Sequence, residues 1–568
     1  MVTGQRLSVF FLLFLVLSLP AAVSGSFLIS SFCPDTWMKG EGDEFFVLSG
    51  KGSLDFVMVT DNEGSIRFPA GSYSGGLLVV AREGKAYRSV HGSPPDFEMY
   101  DTDKGIPDAI RTKNLQMGNS GDELILYVNG KKVQEISWPK EIKKGEGRVH
   151  VLKDGVWDER PHFIGQSDFS SETFYGATVT AFISPDCSLE VLEKAVSDSK
   201  SKIRLNVYEL TGTGIAEMLA EKAESGVRLE VLLEGSPVGG ISEEENYAAS
   251  KLLDAGASVY SVSTRNGVFH TPYRYNHAKY MIVDEKSLLI SSENLGSTGY
   301  PKSGYSGNRG YGAYIEDSGT ALYFSEVFSS DISGGWVTPL SLKHGSPEDI
   351  SDEPFSPAFK PRVFSGVSVT PVISPDTSYL IGDMIADAKH SVCIEQAYIK
   401  NWSSGQNPYL MAAISAAGRG VDVRIILDSY WFNIEGESDN DEMAAFINSA
   451  AASENLTLEA ALINLDTLGC EKIHNKAVIV DEEYVLISSV NWNENSPLYN
   501  REAGVILSGG GIGQYYQKAF DYDWERREGA LPSGIAQALT GDDGYGLKCL
   551  AGIFVIAVFA GIYAKRKR

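Results

Sequence analysis

Tyr275-Asn-His-Ala-Lys-Tyr-Met-Ile-Val-Asp284 and Lys472-Ile-His-Asn-Lys-Ala-Val-Ile-Val-Asp481 carry one pattern twice: a His, a Lys two residues on, and an Asp five residues after the Lys. The copies supply His277, Lys279 and Asp284, then His474, Lys476 and Asp481. A matching piece trails each, Ile290-Ser-Ser-Glu-Asn294 and Ile487-Ser-Ser-Val-Asn491, with a His-to-Asn interval of 17 residues both times. A single pattern of this kind is weak. Two copies with the same apolar filler and the same trailing Asn are hard to attribute to chance.

Residues two apart on an extended strand point to the same side. His277 and Lys279 can therefore face one pocket while the apolar run that follows enters the core. A neutral imidazole is a good nucleophile near neutral pH. A Lys with an Asn supplies donors to the non-bridging oxygens of a phosphate, where charge must be held in the transition state. Two such half-sites facing each other give two His with different roles, one attacking phosphorus and one protonating the leaving oxygen. That scheme needs no metal and no cofactor.

At these residues the chain resembles the phospholipase D superfamily, whose members carry two such motifs on two structurally similar halves. The resemblance implies a covalent phosphohistidine resolved by water or an alcohol. It implies catalytic roles for His277, Lys279, Asn294, His474, Lys476 and Asn491, and supporting roles for Asp284 and Asp481. The family also tends to place an acidic residue beyond the Asn, where it can orient a His. Asn500-Arg-Glu-Ala-Gly504 has it in Glu502, whereas Asn308-Arg-Gly-Tyr-Gly312 has Gly310 at the matching place. The first His is thus expected to lack an obvious acidic partner, and the division of labour between the two stays open.

The repeat extends beyond the motifs. Val179-Thr-Ala-Phe-Ile-Ser-Pro-Asp186 matches Val369-Thr-Pro-Val-Ile-Ser-Pro-Asp376, 190 residues later. Helical periodicity follows each, and then strands. Two α/β phospholipase D-like halves, 179–345 and 365–530, are expected to be related by a pseudo-two-fold axis, with a Pro-, Ser- and Asp-rich linker at 346–364.

The chain of 568 residues is too long for one core, and its formal net charge of −25 opposes polyanion binding unless basic residues cluster. Residues 1–25 read as a signal peptide: Arg6, then an apolar stretch, then Pro20-Ala-Ala-Val-Ser-Gly-Ser26. Residues 547–564 read as a transmembrane helix, just long enough to span, before the basic tail 565–568. The expectation is a single-pass protein of the cell membrane with its catalytic domains extracytoplasmic. Five cysteines without CxxC spacing indicate no metal site or disulfide framework.

Residues 27–140 show short alternating strands broken by Gly, Pro, Asn and Asp, which suggest an all-β sandwich. Asp43-Glu-Phe-Phe-Val-Leu48 with Thr60-Asp-Asn62, and Leu115-Gln-Met-Gly-Asn-Ser-Gly-Asp122, resemble lamin-tail domains, which are immunoglobulin-like accessory modules. Residues 141–178 read as a connecting segment.

Aromatic loops follow the expected pocket walls at Tyr300-Pro-Lys-Ser-Gly-Tyr305 and Ser429-Tyr-Trp-Phe-Asn433. Such rings suit a lipid–water interface, stack on bases, or pack locally. The favoured expectation is a membrane-anchored phosphodiesterase acting on phospholipid. A secreted nuclease with the same site is the alternative, since lamin-tail modules also accompany extracellular nucleases. A catalytically silent surface binding protein is the third reading.

Overall fold

The computed structural model describes residues 27–529 apart from 139–145, 159, 265–269, 342–343, 349, 351 and 437–438. The expected signal peptide, transmembrane helix and basic tail lie outside the described residues. Among those described, no helix is long and apolar enough to cross a membrane. The chain divides into two units, the first ending at Ile164 and the second beginning at Gly165.

The first unit is sheet-rich. One sheet runs in the order Val156–Trp157, Arg148–Lys153, Leu28–Cys33, Phe45–Ser53, Tyr73–Glu83, Phe97–Tyr100, with His162–Phe163 also paired to Arg148–Lys153. The other runs Ile110–Lys113, Ser65–Arg67, Val57–Thr60, Asp122–Val128, Lys131–Trp138. Alternate side chains of both sheets, among them Ile29, Phe46, Leu48, Val57, Val59, Leu124 and Leu126, meet in one buried core. The strand Arg148–Lys153 falls in the span read as a connecting segment, and it pairs antiparallel with Leu28–Cys33. Arg148-Val-His-Val151 alternates polar and apolar residues, but all six residues of the strand are only half-buried, so neither face marks a core.

The second unit carries one sheet of 15 strands whose order is mirrored about its centre. The central pair is Phe174–Ser184 and Arg362–Ser374, antiparallel to each other. Outward from the first lie Gly310–Glu316, Ser287–Ser291, Lys279–Val283, Lys202–Val207, Arg228–Glu234, Ser258–Val262 and the short Val337–Pro339. Outward from the second lie Glu502–Ser508, Tyr484–Ser488, Lys476–Val480, Ser391–Gln396, Asp422–Leu427 and Leu458–Leu462, the same sequence of parts. The helices Ser188–Asp198, Thr213–Glu224 and Glu243–Asp254 pack on the first half through Leu192, Ile215, Leu219 and Leu252. Leu380–Ala386, Pro408–Gly418 and Asn440–Glu454 do so on the second through Ile385, Leu410, Ala413 and Ile447. Each buried Leu or Ile among these contributes roughly 1.5–3 kcal/mol. The two halves of the repeat are thus two copies of one fold, joined along their first strands.

Both motif strands, Lys279–Val283 and Lys476–Val480, are buried at every residue. Each pairs antiparallel on both sides, with Lys202–Val207 and Ser287–Ser291 in the first half and with Ser391–Gln396 and Tyr484–Ser488 in the second, which puts its N-terminal end, and the His two residues before it, at one edge of the sheet.

Candidate functional site

The motif aspartates stand at the far end of these strands from the histidines. Asp284 takes up a left-handed backbone (φ 54°) and accepts hydrogen bonds from the backbone N–H groups of Lys200, Ser201 and Lys202, each at 2.8 Å. Asp481 (φ 55°) does the same for Lys389, His390 and Ser391 at 2.7–2.9 Å. Each carboxylate ties the turn after its motif strand to the start of the neighbouring strand, and neither reaches the histidines.

At the other end the halves are laced together. His277 N donates to Arg501 O (2.8 Å) and Arg501 N to Tyr275 O (3.0 Å), while His474 N donates to Arg309 O and Arg309 N to Lys472 O, both at 2.9 Å. The arginine side chains point into the protein as buried anchors. Arg309 pairs with Asp186 (2.6 Å) and Asp523 (3.0 Å), and Arg501 with Asp331 (2.8 Å). One further pair of carboxylates holds the residue before each His: Glu234 accepts from Asn276 N at 2.6 Å, and Asp428 from Ile473 N at 2.7 Å. The repeated Asn-Arg pair was visible in the sequence as Asn308-Arg309 and Asn500-Arg501, but its clamping role depends on pairing across the halves.

That crossing also corrects the expectation about acidic partners. Glu502 does not serve the His of its own half. Its Oε2 lies 2.7 Å from His277 Nδ1, and the carboxylate is fixed by Ser489 Oγ (2.6 Å), Asn500 Nδ2 (3.0 Å) and Ser496 Oγ. The His left without a partner by Gly310 is His474, and it has one from elsewhere: Glu293 Oε2 is 3.1 Å from His474 Nδ1. Asn308 Nδ2 and Ser292 Oγ, each at 3.0 Å, hold Glu293 in place. Glu293 was in plain sight between Ser292 and Asn294, where the second copy has Val490. What hid its role is that it acts across the interface between the halves.

Lys279 and Lys476 are buried, and each Nζ donates to the carbonyl of the His two residues before it. Burial pulls Lys279 down to about 8, against the pull of Glu502, Glu209 and Glu293. Burial, and then the charge of Lys279, hold Lys476 well below the usual lysine value. Two ammonium groups that weigh on each other in this way occupy one polar centre. Burial lowers His277 against the pull of Glu502, and lowers His474 to about 3 with Lys476 adding to the effect. Burial works to raise Glu293, but the contact with His474 and the charge of Lys476 keep it ionised, at about 2. A carboxylate at Nδ1 of a neutral imidazole sets the tautomer with the proton on Nδ1 and the lone pair on Nε2.

Asn294 Nδ2 donates to Glu209 Oε2 at 2.8 Å. Asn491 is half-buried, its backbone N–H bonded to Ser496 Oγ at 2.9 Å. The ring of Tyr208 meets that of His277 edge-on, with centroids 4.8 Å apart. Of the two aromatic loops, Tyr300 is buried against Phe182 and is no part of an open wall. Trp431 and Phe432 are 54% and 71% exposed. Their loop is tied to the His474 segment through Asp428, which also accepts from Asn433 Nδ2 at 2.9 Å. Among the described residues, Cys33, Cys187, Cys393 and Cys470 are buried free thiols.

A duplicated α/β fold with a carboxylate-oriented His and a Lys from each half defines the class, the phospholipase D superfamily. The chain belongs to the family described as cardiolipin synthase, PLD-like domain, whose model matches residues 192–332 and 381–524, one block in each half. No curated protein matches the chain. Among solved structures it is similar to phosphatidylserine synthase of Haemophilus influenzae Rd KW20, at 14% identity and a TM-score of 0.46 over 62% of this chain and 86% of that one. It is also similar to Nuc from Salmonella typhimurium, at 19% identity and a TM-score of 0.25 over 29% of this chain and 98% of that one. NucT from Helicobacter pylori matches at 20% identity and a TM-score of 0.24, over 28% and 98%.

Proposed function

We propose that the chain is a phospholipid phosphodiesterase of the phospholipase D type, acting through a phosphohistidine, with His277, His474, Lys279, Lys476, Asn294 and Asn491 at its centre. One observation carries this reading: each motif His has Nδ1 committed to a buried carboxylate of the opposite half, which leaves Nε2 of both for the reaction. In the first step Nε2 of one His attacks phosphorus, the P–O bond to the alcohol breaks, and the second His, which takes up a proton when the phosphate anion binds beside it, gives that proton to the leaving oxygen. The second His then takes a proton from water or an acceptor alcohol, whose oxygen attacks phosphorus and breaks the P–N bond. Lys279 and Lys476 hold the non-bridging oxygens throughout. Glu293 and Glu502 stabilise the imidazolium that forms in each step, as positioning residues.

Charge favours lipid over nucleic acid. The net charge is −25, and the exposed Trp431 and Phe432 are followed by Glu435, Asp441 and Glu442, which would repel a phosphate backbone laid along them. Aromatic rings next to the site suit the lipid–water interface. The apolar spans near both ends of the sequence fit an extracytoplasmic enzyme tethered at its C-terminus. The test is an assay in EDTA against phosphatidylcholine vesicles and against plasmid DNA. Headgroup release without nicking supports the lipid reading, nicking alone replaces it with a nuclease, and neither activity leaves a binding protein.

A further inference from the structure

Beside the second motif strand, three parallel strands end at the edge where His474 stands. Ser391–Gln396, Asp422–Leu427 and Leu458–Leu462 run parallel, and Lys476–Val480 runs antiparallel to the first of them. Lys476, Gln396, Leu427 and Leu462 are register partners in one row, roughly 14 Å across at the usual spacing of strands. His474 lies just beyond that row at one end. Beyond Leu427, on the same edge, follows the short helical turn Trp431–Asn433.

This turn is fixed at its base and bare at its tip. Asp428, fully buried, accepts from Tyr430 N at 3.2 Å, Asn433 Nδ2 at 2.9 Å and Ile473 N at 2.7 Å, so one carboxylate holds both the turn and the residue before His474. The turn buries none of its three residues. The rings of Tyr430, Trp431 and Phe432 lean on one another instead, with centroids 5.8 Å apart at each step. The fold does not need them, because it is built twice and has them once: after Glu234, which takes the place of Asp428, the first half reads Gly235-Ser-Pro-Val-Gly-Gly240. Exposed apolar clusters of this kind mark a surface that meets something else.

The end of the described chain lies against the same row. Glu528 N donates to Leu462 O at 2.7 Å, Asn464 N to Arg526 O at 2.9 Å, and Ile463 bridges Arg527. Residues 530–546 then lead to the apolar stretch 547–564, a reach of at most about 60 Å. A tether that starts here concentrates the enzyme at a bilayer without orienting it. Rings beside the site supply the orientation, since Trp and Tyr settle at headgroup level. The exposed Glu435, Asp441 and Glu442 border them and repel an anionic surface, which selects a zwitterionic one.

We propose that Trp431 and Phe432, with Tyr430 at their base, enter the headgroup region of a zwitterionic bilayer and hold the His474 edge of the site against it. This rests on the phospholipid reading and adds to it the element that docks. Asp428 makes the docking count, because it ties the inserted turn to the backbone that carries His474.

The experiment uses the full chain incorporated in phosphatidylcholine vesicles. Lipid brominated high on its acyl chains should quench part of the tryptophan emission of the parent, and Trp431→Phe should lose that part, since residues 530–568 contain no Trp. Equal fractional quenching in both overturns the proposal. Trp431→Ser combined with Phe432→Ser should lower turnover of vesicle phosphatidylcholine on the order of tenfold, while dispersed short-chain phosphatidylcholine is cleaved within about twofold of the parent rate. An equal fall on both substrates, or none on either, also overturns it. A parent that nicks DNA and cleaves no lipid counts against the phospholipid reading, and the quenching still decides the docking by itself.

Discussion

A Cβ placed on Gly310 would lie 2.1 Å from Glu293 Oε1, so the glycine is what gives the carboxylate of Glu293 its place beside His474. In the second half the same two positions hold Glu502 and Val490. Each half thus offers one carboxylate to the other's His, from adjacent strands, and the neighbouring position is left without one. The halves reach one function by exchanged positions.

This exchange makes a double-mutant test. Glu293→Val leaves His474 without its partner, and turnover should fall roughly a hundredfold or more, as when a histidine loses its orienting carboxylate. Gly310→Glu alone forces a second carboxylate into the space of the first, and should be at least as damaging. The double variant copies the second half and should recover at least about tenfold over either single change, because the two sites share one partner. Turnover of the folded proteins that multiplies the two single losses would refute the exchange.

The two histidines should differ in what they trap. His277→Ala and His474→Ala are each expected to lower phospholipid turnover by at least roughly a thousandfold. With a 4-nitrophenyl phosphodiester, whose leaving group needs no proton, the variant that keeps the nucleophile should still form the phosphohistidine. Mass spectrometry after an alkaline quench should find the adduct in one variant and not in the other. An adduct in both, or in neither, would defeat the assignment of one nucleophile and one acid.

Lys279 and Lys476, both held below the usual lysine value, should set the alkaline limit together. Burial brings the Lys279 ammonium down to about 8, so the free enzyme loses this charge as pH rises through that value, and kcat/KM should decline above it. Lys279→Arg removes the Lys279 share of the titration, since guanidinium stays charged. Whatever rate the arginine variant has, its alkaline limb should move upward. An unchanged limb in Lys279→Arg assigns the titration to another group.

Much of this was legible in the residues, and what was not had a common cause. The duplicated motif, the matching 179–186 and 369–376 stretches and the strand–helix alternation show in local periodicity, which sequence records directly. The partners of the histidines do not, because Glu502 with His277 and Glu293 with His474 are 225 and 181 residues apart and meet only across the pseudo-two-fold. Gly310 read as a missing acid because a space is not a signal until the side chain that fills it is known. Arg148–Lys153 is paired on both sides yet fully buries none of its residues, so the polar–apolar alternation of Arg148 to Val151 marks no core face.

Asp284 and Asp481 separate stability from chemistry. Each accepts three backbone hydrogen bonds at the end of a motif strand away from the histidines, and a hydrogen bond contributes about 0.5–1.5 kcal/mol net. Both sites are partly open to solvent, so the lower end applies, and the left-handed backbone at each would strain an alanine further. Asp284→Ala should cost about 2–4 kcal/mol in urea unfolding, with kcat of the folded fraction within about threefold of the parent. Asp284→Asn, which keeps one acceptor oxygen and tolerates the left-handed backbone, should cost less. The pH dependence has a defined sign. Burial opposes ionisation of Asp284, but hydrogen bonds from Ser201, Lys202 and Lys200 outweigh it and hold the carboxyl below its ordinary value. The stabilisation is therefore present above the ordinary aspartate range and is lost as pH falls through the lowered folded value. The parent should lose stability over that acid window more steeply than Asp284→Asn. If kcat of folded Asp284→Ala drops as far as that of His277→Ala, the aspartate belongs to the chemistry after all.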